Sequence, residues 1–154
     1  MKRSEMYSLR LSQIERSIEK FSTLSSARQP RAGWLRTIRE SLGRSLRVQA
    51  SKLGISSSTL QKSERAEAED RITLGQLRKL AEGLDCELVY ALVPRKPLHK
   101  IVEDRATEIA KNEVMGVTHT MTLEAQRPSD KHVDEKIRKR RSELLDGSWS
   151  NLWR

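Results

Sequence analysis

A single cysteine, Cys86, is all that the 154 residues contain, so neither an intrachain disulfide nor a thiolate cage for a metal can form. Aromatic residues are almost as scarce. Phe, Trp and Tyr together make up 4% of the chain, which demands an aliphatic core of modest size. No apolar run approaches the roughly 20 residues that a membrane-spanning helix needs. The apolar residues between Met6 and Leu24 are spaced by charges instead of massed into a secretory leader. His99, His119 and His132 lie far apart, and no His or Cys spacing suits zinc. The seven glycines are scattered, so no phosphate-cradling loop exists, and no serine has a nucleophile-elbow context. Acidic pairs such as Glu103-Asp104 read as solvated helix faces. The expectation is a soluble, cytoplasmic protein with no catalytic centre, metal or cofactor.

What the chain has in quantity is charge. Asp, Glu, Lys and Arg make up 33% of it, and the formal net charge is +9. The excess is local. Residues 28–65 hold nine basic groups against Glu40 and Glu64, a net +7, whereas residues 66–94 carry three basic and six acidic groups, a net −3. A basic segment of this density points to a polyanion, either nucleic acid or an anionic membrane surface. Single-stranded bases need aromatic rings to stack on, and Trp34 is the one ring in that segment. Lipid needs a free apolar face, and the apolar residues here are required to close a bundle. Duplex DNA is the favoured partner.

Periodicity makes the chain mainly helical. Tyr7, Leu11, Ile14, Ile18 and Phe21 recur at intervals of four and three, which predicts a helix over about residues 4–24. Residues 25–33, with Pro30 and Gly33, read as a linker. Trp34, Leu35, Ile38 and Leu42 restart the helical pattern up to Gly43. Ser45 caps a helix that ends at Gly54, Ser56 caps another over roughly residues 57–65, and a polar Glu/Ala loop runs on to Arg71. Thr73 caps a fourth helix with Leu74, Leu77, Leu80, Ala81 and Leu84 as its buried stripe. Residues 86–93, rich in β-branched and aromatic types and stopped by Pro94, predict a strand with nothing in its own chain to pair with. Such a strand invites pairing with a copy of itself across a two-fold axis, the alternative being burial as an irregular end of the bundle. After Pro97 a long helix is expected, which Gly116 would kink. Pro128, Ser129 and Asp130 then break and cap a last helix ending at Gly147. Trp149 and Trp153 lie on the tail, to be packed on their own domain or offered to a partner. The expected fold is thus a mainly all-α, phage-repressor-like bundle with a short strand after it and helical extensions at both ends. Residues 1–33 form the N-terminal helix and linker, residues 34–94 the DNA-binding domain, and residues 95–154 a helical extension serving a dimer or partner interface.

Residues 45–65 carry the functional pattern. A bihelical DNA-reading unit needs a residue free to take positive φ in its turn, which Gly54 supplies, and a small residue where the helices cross, which Ala50 supplies. Leu46, Leu53, Ile55 and Leu60 are placed to lock the pair. The second helix then offers Ser57, Ser58, Gln61, Lys62 and Arg65, each able to hydrogen-bond a base edge or a phosphate in the major groove.

On these features, residues 34–84 resemble the helix-turn-helix domain of the XRE family of phage-repressor-like regulators. Ile72-Thr73-Leu74, the run Leu84-Asp85-Cys86-Glu87-Leu88-Val89-Tyr90-Ala91-Leu92-Val93-Pro94, and His119-Thr120-Met121-Thr122-Leu123-Glu124 extend the likeness to the group called mobile mystery protein A, over about residues 5–125. That resemblance implies a bacterial, mobile-element-borne regulator encoded beside a Fic-domain protein, in a toxin–antitoxin arrangement. Carried over residue by residue, it implies base contacts by Ser57, Ser58 and Lys62, with Gln61 beside them. It implies phosphate contacts by Arg44, Ser45 and Arg47, and flanking backbone contacts by Arg65 and Arg71. Ser63 departs from the pattern, standing where these domains bury an aliphatic residue. A Ser/Thr-x-x-x-Glu-Gly/Asn pattern for silencing a Fic enzyme is met incompletely: Ser63/Glu67 and Thr120/Glu124 have the spacing, but Ala68 and Ala125 replace the Gly/Asn. The function expected is an autoregulating, homodimeric repressor located on the nucleoid when bound to DNA. The alternative is an antitoxin that neutralises a Fic-domain protein, with DNA binding secondary.

Overall fold

The computed structural model describes residues 2–123 and 129–154. Glu124 and Ala125 of the incomplete Fic-silencing pattern, and Pro128 of the expected break, lie outside the described residues. Among the described residues there are seven α-helices and no strand: α1 (Arg3–Glu19), α2 (Trp34–Ser41), α3 (Leu46–Leu53), α4 (Ser57–Ala68), α5 (Leu74–Glu82), α6 (Leu98–Leu123) and α7 (Asp130–Asp146). Short 3-10 turns cover Ser22–Ser26 and Trp149–Trp153. The chain divides into two compact units, residues 23–91 and residues 1–22 with 92–154.

In the first unit, local chemistry sets the helix ends. Ser45, Ser56 and Thr73 stand in extended backbone, and their hydroxyls accept the N–H groups of Val48 (3.2 Å), Thr59 (3.1 Å) and Gln76 (3.1 Å). Each cap satisfies a donor that its helix cannot, worth about 1 kcal/mol. Leu35, Ala50, Leu60, Leu80 and Leu84 form the core, with Ile38, Leu46, Leu53, Ile55, Ile72 and Leu77 packed around them. Leu74, expected in the buried stripe, is exposed. It opens the first turn of α5, before the stripe reaches the core. Helix α4 runs to Ala68, so the expected Glu/Ala loop is its last turn.

The strand expected over residues 86–93 is not formed, which corrects that part of the fold. A strand exists only through a hydrogen-bonded neighbour, and among the described residues no other segment pairs with it. The N–H of Cys86 closes α5 on the carbonyl of Ala81 (2.9 Å), and the backbone beyond it is irregular.

In the second unit, Val102, Ala106 and Leu152 are buried, with Leu11, Ile109, Leu144, Leu145 and Trp149 around them. Fully buried Ala106 and Ala110 hold α6 close to its neighbours, since small side chains shorten interaxial distance. Helix α1 ends at Glu19, short of the expected boundary, and continues into the Ser22–Ser26 turn. Glu15 of α1 accepts the backbone N–H of His99 (2.9 Å), satisfying a first-turn donor of α6. Helix α6 continues through Gly116. Trp149 lies on its own unit: its ring stacks on Tyr7 at 5.5 Å between centroids, and its Nε1–H donates to the carbonyl of Leu145 (2.8 Å). No helix among the described residues is long and apolar enough to cross a membrane.

Candidate nucleic-acid interface

The turn between α3 and α4 is made by Gly54, at φ 68° and ψ 28°. A Cβ there would meet nothing within 4 Å, so the left-handed backbone alone is what favours glycine. The Ile55 N–H reaches back to the carbonyl of Ala50 (3.0 Å), and Ala50 is buried where the two helices approach. The expected parts of the bihelical unit are therefore in place.

Helix α4 has two faces of different chemistry. Leu60, Glu64 and Glu67, at spacings of four and three, point inward and are buried. Glu64 receives both Nε and Nη2 of Arg39, at 2.6 and 3.0 Å, and the third arm of that guanidinium donates to the carbonyl of Arg44 (2.8 Å). This charged pair raises the Arg39 pKa above its ordinary value, chiefly through the hydrogen bond to Glu64 and against the effect of burial. One turn on, the carboxylate of Glu67 accepts the N–H groups of Trp34 (2.9 Å) and Leu35 (2.8 Å), capping α2 from across the core. Gly33, at φ +80°, makes that approach possible, because a Cβ there would lie 2.8 Å from Glu67 Oε2. The two inward carboxylates thus fix α4 against α2 at successive turns.

The outward face carries Ser58, Gln61, Lys62 and Arg65, all exposed, and Ser57, although on the side of Glu64, is exposed in the first turn of the helix. Residues 58, 62 and 65 lie along the outermost line of α4 at helical spacing, opposite the buried trio, with Gln61 to one side.

Residues 35–90 match the helix-turn-helix family model. This segment is an XRE-type helix-turn-helix domain. No curated protein and no solved structure matches the chain. The narrower likeness to mobile mystery protein A goes beyond what the domain match carries.

Within the helix-turn-helix domain the remaining site residues divide sharply. Arg47 is exposed in the first turn of α3, near that helix's N-terminal N–H groups. Ser45 uses its hydroxyl as the cap of that helix. Arg44, expected at a phosphate, is half-buried and holds the domain together from inside. It donates to Gln49 Oε1 (3.0 Å), to the carbonyl of Gly83 (3.3 Å) and to Asp85 Oδ2 (3.4 Å). Asp85 also takes Lys52 Nζ at 3.3 Å, and these two cations lower its pKa, Lys52 the more. Arg65 and Arg71 converge on one carboxylate, that of Glu69, whose pKa is lowered by Arg65 first and Arg71 second. The hydroxyl of Ser63 donates to the carbonyl of Thr59 (3.0 Å), so this departure from the apolar pattern is satisfied within its own helix.

Sequence reasoning missed Arg39, Gln49, Glu64 and Glu67. Three of these are charged, and a charge taken alone reads as surface. The available signal was register: Glu64 and Glu67 continue the inward line begun by Leu60. Gln49 is buried with both ends of its amide bonded, to Arg44 and to the carbonyl of Gly83 (2.8 Å). Among the described residues no group of His, Cys, Asp or Glu is arranged to hold a metal ion.

Proposed function

We propose that the protein binds a specific duplex DNA site through α4 and regulates transcription there, as a repressor of its own operon. One observation carries this reading. The outer line of α4 is exposed and polar, while its inner line is anchored by buried carboxylates. A helix so held can enter the major groove without losing its position. Ser57 and Ser58 supply hydroxyls to base edges or phosphates, the Gln61 amide suits adenine N6 and N7, and Lys62 suits guanine O6 and N7. Arg47 supplies a phosphate contact that sets register without reading sequence. The helix-turn-helix match over residues 35–90 supports the DNA-binding part of the reading. Repression then follows from occupancy, since a protein seated on its promoter excludes polymerase.

One domain covers a half-site, so two copies would read an inverted repeat. Selection of bound duplexes from a random pool tests the proposal. The expected product is a symmetric motif, bound roughly a thousandfold more tightly than random duplex, and protected upstream of the protein's own gene. A pool that yields no enriched motif would remove the proposal's basis.

A further inference from the structure

The segment between α5 and α6 has the composition of a strand and none of its bonds. From Glu87 to Val93 no backbone N–H or C=O is paired with another backbone group among the described residues. Three of its large apolar side chains face solvent: Val89 and Tyr90 are each 61% exposed and Leu92 is 86% exposed, while Leu88 and Val93 are half-buried. Unpaired peptide groups and exposed β-branched or aromatic side chains on one short segment form a template for another strand.

The charge pattern selects the occupant. No charged residue lies between Glu87 and Arg95, and these two end charges are opposite in sign. A parallel pairing of two copies would set Glu87 against Glu87 and Arg95 against Arg95. An antiparallel pairing turns each repulsion into an attraction.

We propose that residues 87–95 pair antiparallel with the same segment of a second copy, about a two-fold axis through Ala91. In that register Glu87 faces Arg95 at both ends, Val89 faces Val93, Tyr90 faces Leu92, and Ala91 faces itself. Apolar pairs then occupy every position between the ion pairs. If Ala91 is a hydrogen-bonded pair, the alternation of an antiparallel ladder places Pro94 in a non-hydrogen-bonded pair. Its missing N–H then costs the ladder nothing. Shifting the register by one residue sets Leu88 against Arg95 or Glu87 against Pro94 and loses this match. The pairing stands apart from the DNA reading in its physics, and supplies the second copy that an inverted repeat requires.

The test uses the full chain in a Cys86→Ser background. Ala91→Cys should form an intermolecular disulfide on mild oxidation, because facing residues of an antiparallel pair have Cα atoms about 5.5 Å apart. Val89→Cys should not, since the two copies of residue 89 are displaced by four residues, roughly 13 Å along the strand. Equilibrium sedimentation should show a wild-type dimer and a Val89→Pro monomer of unchanged helicity. Glu87→Arg or Arg95→Glu alone should weaken dimerisation by roughly fivefold, with the double exchange restoring it. A monomeric wild type overturns the proposal. So does a dimer that survives Val89→Pro, or a Val89→Cys protein that cross-links as readily as the Ala91→Cys protein. A dimer with the expected cross-links that binds no duplex leaves the pairing intact and overturns the DNA reading alone.

Discussion

Arg39 and Glu64 meet side-on inside the helix-turn-helix domain, at 2.6 and 3.0 Å, with both side chains almost wholly buried. Burying a carboxylate and a guanidinium is costly. It is tolerated because each charge is matched and the third guanidinium arm reaches the carbonyl of Arg44. Removing one partner strands the other. Arg39→Met and Glu64→Leu should each cost about 3–5 kcal/mol, read from urea unfolding. The double change Arg39→Met/Glu64→Leu should cost less than either single change. A double mutant at the simple sum of the two would mean that the pair does not act as one.

Base reading and phosphate holding should separate by residue. Lys62→Ala should cost about 1–3 kcal/mol at one base position and change the selected motif, whereas Arg47→Ala should weaken all duplexes alike and shallow the salt dependence. Arg44→Ala should behave as a fold defect. Its guanidinium ties α3 to the end of α5 through Gln49, Gly83 and Asp85, so the loss should appear in the melting temperature of the free protein. An Arg44→Ala protein of unchanged melting temperature but weakened DNA binding would return that residue to the phosphate contacts.

The cap that Glu67 places on α2 is testable from either side. Glu67→Gln removes a charge from a helix N-terminus and replaces one of its two accepting oxygens with an NH2 that cannot accept, so a loss of about 1–2 kcal/mol is expected. Gly33→Ala should destabilise by a similar amount or more, because its backbone is left-handed and its new Cβ would lie 2.8 Å from Glu67 Oε2. Gly54→Ala meets no neighbour and tests the backbone contribution by itself. If Gly33→Ala costs no more than Gly54→Ala, the close approach to Glu67 carries no steric penalty.

Acid should act on the N-terminus of α6 through Glu15. Its carboxylate accepts the His99 N–H, and that bond is the main reason its pKa lies below the ordinary 4.5. A depressed carboxylate pKa contributes stability above the unfolded value, and the contribution is lost as pH falls through the folded one. Unfolding followed from pH 6 to pH 3 should therefore show Glu15→Gln converging on the wild type as acid protonates Glu15. Parallel curves over that range would show that the bond is not linked to stability.

Much of the DNA-reading half was legible because its determinants are local. Ser45, Ser56 and Thr73 cap within three residues of themselves, and Gly54 needs only its own φ. What escaped was long in sequence or ambiguous in type. Arg39 and Glu64 are 25 positions apart, and either alone reads as a solvated charge. Glu15 and His99 are 84 apart, so nothing in the periodicity of α1 announces its contact with α6. Residues 86–93 have the composition of a strand, but composition names a preference and only a partner makes a ladder. Arg44 stands just before α3, where a phosphate contact is expected, yet its side chain turns inward to Gln49, itself an unexpected residue in a core.

The division of α4 into an inner and an outer line has an evolutionary consequence. Positions 60, 64 and 67 answer to the interior, whereas positions 58, 61 and 62 point away from it. On the proposed function, target choice and foldedness are recorded on separate letters of one helix. A lineage can exchange operators by rewriting the second set without passing through an unfolded ancestor.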